Sequence, residues 1–130
     1  MTDTTAELID RFMAAFNSAD LAAMRATLAD DAVAYITGPS GEPMRLSGAD
    51  AYVAALEAMH LADVDYSVAL TQAPVMVGDQ QVLVMVEVRA RREGRTLHNF
   101  AAHLLRVADG KIVEMFMVDA KPAESDAFWA

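Results

Sequence analysis

Two side chains in this sequence stand where proton chemistry could be done, His103 and Asp119. His103 lies in a strand-like run, sharing parity with Ala101, Leu105 and Val107, while Phe100, Ala102, Leu104 and Arg106 share the other face. Successive side chains of a strand point to opposite faces. Arg106 marks its face as outward or interfacial, so His103 is expected inside, where an imidazole can exchange protons near neutral pH. Asp119 closes the run Ile112-Val113-Glu114-Met115-Phe116-Met117-Val118. A carboxylate beside Met and Phe is expected to have a raised pKa and to serve as acid or base. Each residue also has a purely structural reading. His103 could be a hydrogen-bonded core histidine, and Asp119 a polar strand terminus that caps the next turn.

The candidate walls of a substrate pocket are Phe12, Phe16, Tyr35, Tyr52, Met115 and Met117. The tyrosines would supply hydroxyls and the others an apolar surface, although ordinary core packing accounts for all of them too. His98 lies five residues from His103, which sends the two to opposite faces of an unbulged strand and argues against a two-histidine metal site. His60 ends a helix-like run, near the negative end of its dipole, and reads as structural. Asp30 and Asp31 read as a solvated turn pair. There is no cysteine, which removes disulfides, thiolate nucleophiles and cysteine-held metals together. No phosphate-binding glycine loop, nucleophile elbow or dinucleotide fingerprint is present. Neither a cofactor nor a metal is expected.

These residues must be positioned by helices that come first and strands that follow. Thr4-Thr5-Ala6-Glu7 reads as a capping box, and Leu8, Ile9, Phe12, Met13 and Phe16 give helix one over residues 4–16. Asp20 is placed to cap a second short helix carrying Leu21, Met24 and Leu28. A short strand through Tyr35 and Ile36 follows, then a turn at Gly38-Pro39-Ser40-Gly41. Ser47, with Asp50 three residues on, reads as the N-cap of helix three, whose buried stripe is Tyr52, Val53, Leu56 and Met59. Beyond His60 the period becomes two: Val64, Tyr66, Val68 and Leu70, then Val82, Val84, Val86 and Val88, then residues 96–107 and 111–118. Turns fall at Gly78-Asp79-Gln80, Glu93-Gly94-Arg95 and Asp109-Gly110. From Pro122 onward no strand or long-helix pattern is visible, but Phe128 and Trp129 indicate that the tail docks. Helices followed by an antiparallel meander make an α+β pattern.

The chain has 130 residues, room for one domain spanning 1–130. Its 55% hydrophobic content implies a sizeable core plus either a lined pocket or an apolar oligomer face. The acidic start lacks the pattern of a signal peptide, and no stretch approaches the roughly 20 apolar residues of a membrane span. A cytoplasmic protein without membrane contact is the expectation. The net charge of −9 repels polyanions. The one basic cluster, Arg89, Arg91, Arg92 and Arg95, is interrupted by Glu87 and Glu93 and reads as the solvated side of a strand pair. Nucleic acid is not an expected partner.

The order of landmarks resembles the nuclear transport factor 2-like superfamily, in its SnoaL-like polyketide cyclase branch. Those landmarks are Arg11-Phe12, Ser18-Ala19-Asp20, Ala29-Asp30-Asp31-Ala32, Leu46-Ser47-Gly48, Leu105-Arg106-Val107, Asp109-Gly110-Lys111-Ile112 and Asp119. They span residues 6–120. The resemblance implies a cone of three N-terminal helices packed in a curved, mostly antiparallel sheet, open to a small apolar molecule and commonly a homodimer through the outer sheet face. In the ketosteroid isomerases of this superfamily a tyrosine, a carboxylate base and a protonated aspartate do the work. By landmark spacing those positions fall on Phe12, Ile36 and His103. Phe12 has no hydroxyl and Ile36 cannot take a proton, so that mechanism is not expected. The resemblance to SnoaL-like cyclases instead implies an acid/base aspartate at Asp119 aided by a histidine at His103. Three functions stay open: a cofactor-independent cyclase or isomerase, a non-catalytic ligand-binding pocket, and a structural or interaction dimer.

Overall fold

The computed structural model describes residues 3–37 and 42–130. The turn expected at Gly38-Pro39-Ser40-Gly41 lies outside the described residues. Helix α1 (Asp3–Ser18) runs longer than its apolar stripe required. It is followed by α2 (Leu21–Ala26), whose N-cap Asp20 accepts from the Ala23 amide at 3.0 Å, as its position predicts. Leu28, expected on that helix, instead opens strand β1 (Leu28–Thr37). A strand that the sequence reading missed, β2 (Pro43–Ser47), pairs antiparallel with β1. Ser47 therefore sits in a strand and does not cap α3 (Ala49–Ala58). The N-cap is Gly48, at φ 93° and ψ 147°, a combination open essentially to glycine alone. Its amide donates to the Ala32 carbonyl at 2.8 Å, which fixes where α3 begins.

A 3₁₀ turn at Leu61–Asp63 takes the place of the strand expected to begin near Val64. The sheet then continues with β3 (Ser67–Leu70), β4 (Val75–Val77), β5 (Gln81–Arg92), β6 (Arg95–Ala108) and β7 (Lys111–Asp119). Among the described residues these strands form one sheet in the order β2-β1-β7-β6-β5-β3, with β4 also on β5. Every pairing is antiparallel except β1 with β7, which is parallel. The chain closes with α4 (Pro122–Trp129), a short helix where the sequence showed no strand or long-helix pattern. Eight residues are too few to display a clear apolar stripe, and only Phe128 is buried.

The core lies between the concave sheet face and the helices. Leu8, Ile9 and Phe12 from α1 meet Val82, Val84 and Leu105 from the sheet, all at most 1% exposed. A smaller satellite core of Val64, Ala90, Leu97 and Phe128 seats α4 against the β5–β6 hairpin. The packing is an α+β cone: helices fill the narrow part of a curved sheet, and the wide part stays hollow.

Candidate functional site

The hollow is a cavity of about 240 Å³, walled mainly by apolar side chains. Phe12 and Phe16 from α1, Tyr52 from α3 and Met117 from β7 all reach it, as do His103 and Asp119. Two expected wall residues do not. Tyr35 is on the other face of the sheet, stacked on Phe116 with centroids 4.8 Å apart and planes 7° from parallel. Met115 has inward parity but lies deeper, 2% exposed in the packed core beside its register partners Ala34 and Leu105. Parity selects the face of a strand, but only its curvature decides which inward residues reach the hollow.

Strand β6 carries the polar line of the site. Leu97, Asn99, Ala101, His103 and Leu105 alternate inward, while His98 and Phe100 are exposed on the outer face. His98 there meets Glu87 at 2.6 Å, on the opposite face to His103 as the odd spacing predicts. His103 stands opposite Val84 on one side and Met117 on the other. Its ring lies edge-on to Phe12 at 6.1 Å. Its Nδ1 is shielded from solvent and has no hydrogen-bond partner among the described residues. Burial therefore lowers its pKa from 6.5 to about 4, so the imidazole is neutral at physiological pH.

Asp119 does not have the apolar surroundings expected of it. Its Oδ1 accepts from Asn99 Nδ2 at 2.6 Å and from the Lys121 amide at 2.8 Å, and its Oδ2 accepts from Ser125 Oγ at 2.6 Å. A carboxylate has about four lone-pair sites, so roughly one is left for anything in the cavity. Asp119 is opposite Ala101 in the register, and His103 is opposite Met117. The two are thus diagonal neighbours on one face, roughly 7–8 Å apart by ordinary sheet geometry and somewhat less between Cβ atoms. No hydrogen bond joins them among the described residues, and a small molecule can lie across both.

Further polar residues reach this wall that the sequence reading did not single out. Tyr66 precedes β3, and Asn99, Ser125 and Trp129 close the same end. The Tyr66 hydroxyl is pushed well above its usual pKa by burial and then by the nearby Asp119 charge. The Tyr52 hydroxyl is raised likewise by burial and by Tyr66. Both stay protonated and can donate. Asn99 was findable by parity, four residues from His103; Ser125 and Trp129 were not, because their place depends on how α4 folds back. Among the described residues no group of three or more His, Asp or Glu could hold a metal ion. No helix there is long and apolar enough to cross a membrane.

The basic cluster is only partly solvated. Arg89 pairs with Glu87 and Arg91 with Asp65, but Arg92 and Arg95 turn to the carbonyls at the end of α4. His60, exposed, adopts a left-handed conformation at φ 50°.

Comparison with known proteins places these observations. Residues 9–115 match the family described as a SnoaL-like domain. The uncharacterized protein Rv0034 of Mycobacterium tuberculosis is 32% identical over 129 residues, covering 98% of both chains. Bal32a, from a soil-derived mobile gene cassette, superposes with a TM-score of 0.84 at 20% identity over 98% of each chain. IdmH of Streptomyces antibioticus, a candidate polyketide cyclase, superposes with a TM-score of 0.75 at 22% identity, covering 99% of this chain and all of that one. At these identities the superpositions establish the cone fold.

Proposed function

The chain belongs to the SnoaL-like domain family, and on that premise we propose that it is a cofactor-independent enzyme of the cyclase or isomerase type. The supporting observation is an apolar cavity with the Asp119 carboxyl group on one wall beside a neutral imidazole whose Nδ1 has no hydrogen-bond partner among the described residues. A histidine held neutral down to about pH 4 is a weak base. His103 is therefore suited to hydrogen-bond a substrate oxygen, leaving proton transfer to Asp119. In such a step Asp119 takes a proton from the carbon beside a carbonyl. The C–H electron pair becomes a C=C bond and the carbonyl electrons move onto oxygen, giving an enolate whose oxygen accepts a hydrogen bond from His103. Asp119 then returns the proton to a carbon of the enolate as the electrons on oxygen re-form the carbonyl. The volume of about 240 Å³ lies just below the usual range for drug-sized ligands, roughly 300–1,000 Å³. A compact carbonyl compound suits it better than a polycyclic one.

The test is deuterium incorporation beside the carbonyl of a panel of small ketones in D₂O, followed by NMR. Wild-type protein is expected to accelerate exchange, and Asp119→Asn to reduce that acceleration by about 100-fold or more. Equal background rates in both, with ligand still bound, would sink the enzyme reading. A second reading would then hold, a binding pocket without catalysis. The three internal donors on Asp119 favour that one, since they also anchor α4.

The partner we infer is a second copy of the chain. The outer sheet face exposes Phe100, Met85, Phe116 and Val118, with Val118 61% exposed. Contiguous apolar surface of this kind marks an interaction site, and a two-fold dimer would cover it with itself. The pairs Arg106–Glu114 and His98–Glu87 border it with charge.

A further inference from the structure

Two hollows meet at the end of α4. A groove of about 620 Å³ lies between the end of α3, the Leu61–Asp63 turn and the β5–β6 hairpin, and it shares Met59 and Trp129 with the cavity wall. The groove carries His60, Asp63, Arg91 and Glu93, so it is polar where the cavity is apolar.

Trp129, the sole tryptophan of the chain, is held in place from several sides. Its ring lies 6.4 Å from Tyr66 and edge-on to Phe128 at 4.8 Å. Phe128 is itself locked in the satellite core. The final carbonyls of a helix have no amide partner within it and carry its negative pole. Here Arg92 donates to the carbonyls of Phe128 at 3.4 Å and Trp129 at 3.2 Å, and Arg95 donates to that of Ala127 at 2.9 Å. At the other end of α4, Ser125 is tied to Asp119. The indole is therefore a fixed partition whose position is set by the hairpin.

We propose that Trp129, with Met59, sets the length of ligand that the cavity accepts. The indole closes the apolar hollow against the polar groove, and a molecule too long for the hollow is refused. Removing the indole joins the two into one cleft, apolar inside and polar outside. That cleft would seat a longer amphiphile with its polar end beside Arg91 and His60. The proposal rests on the cavity being a small-molecule site and is independent of whether Asp119 catalyses anything.

The experiment titrates the full chain with straight-chain 1-alkanols of increasing length in a calorimeter. In the wild type, affinity should rise about fourfold per buried methylene up to a limiting length and then stop rising. Trp129→Ala should move that limit to longer chains, while Trp129→Phe, which keeps a ring in place, should leave it near the wild-type value. Should the alanine variant fail to fold, Met59→Ala alters the same partition without touching α4 and carries the same expectation. An unchanged limit in the folded variant overturns the role of Trp129 and leaves the cavity reading standing. If no alkanol binds the wild type at all, the small-molecule reading fails and this inference with it.

Discussion

His103 shows how one buried side chain couples function to stability. Because burial lowers the pKa of its imidazole, the unfolded chain takes up the proton first as pH falls. The contribution is intact above the ordinary value of 6.5, declines from there to about 4, and levels off below. A shift of this size corresponds to about 2–3 kcal/mol once the part of the ring facing the hollow is discounted. His103→Phe, which packs a ring against Phe12 without a titrating group, should lose less stability between pH 7 and pH 4.5. Urea midpoints at the two pH values measure it. The carboxylates of half-buried Glu87 and exposed Asp30, lowered by hydrogen bonds from His98 and Arg25, titrate in both proteins and cancel in the difference. A variant as acid-sensitive as the wild type would show that His103 is not the group responsible. The inward face of His103 was legible from Arg106, three residues away and so on the opposite face of the strand; its lack of a partner was not, because that depends on Phe12 arriving from a helix.

Between elements, a few side chains do what backbone pairing cannot. Asn17, in the last turn of α1, pins the end of that helix to the edge strand β3. Its Nδ2 donates to the Val68 carbonyl at 2.9 Å and its Oδ1 accepts from the Val68 amide at 2.8 Å, in the manner of a neighbouring strand. Asn17→Ala should cost about 1–2 kcal/mol in chemical denaturation, the usual net worth of two part-buried hydrogen bonds. Asn17→Asp should be no better, since a carboxylate keeps the acceptor but turns repulsion on the Val68 carbonyl. A change within a few tenths of a kcal/mol for both would mean that β3 is held by β5 alone. The long strands and α1 were readable because period and turn chemistry are local. β2, β4 and α4 were not: each is short, and each is stabilised by what it packs on rather than by its own pattern.

For the whole molecule, the two sheet faces divide the work. The concave face holds the cavity, and the convex face presents Phe116 stacked on Tyr35 with Val118 and Met85 beside them. Tyr35, expected in the pocket, thus belongs to the surface that we propose a second copy covers. Val118→Asp places a charge on that surface without altering the concave wall. Sedimentation equilibrium should find a dimer for the wild type and a monomer for the variant, with alkanol binding retained. A wild-type monomer at the same concentration would refute the dimer, and a variant that loses binding as well would show that the two faces are not independent.

The sequence by itself determined the α+β pattern and which face of β6 looks inward, because periodicities and turns are carried within each segment. The family, and through it the cone, came from the resemblance carried by the order of landmarks along the chain. Tertiary structure decided the rest. Whether Met115 or Met117 meets the hollow depends on sheet curvature. The Ser125 hydrogen bond to Asp119 depends on α4 folding back, and the closure at Trp129 depends on two arginines from a hairpin more than thirty residues away. A cavity is the space left between elements, and no local pattern encodes a distance between parts of the chain that meet only on folding.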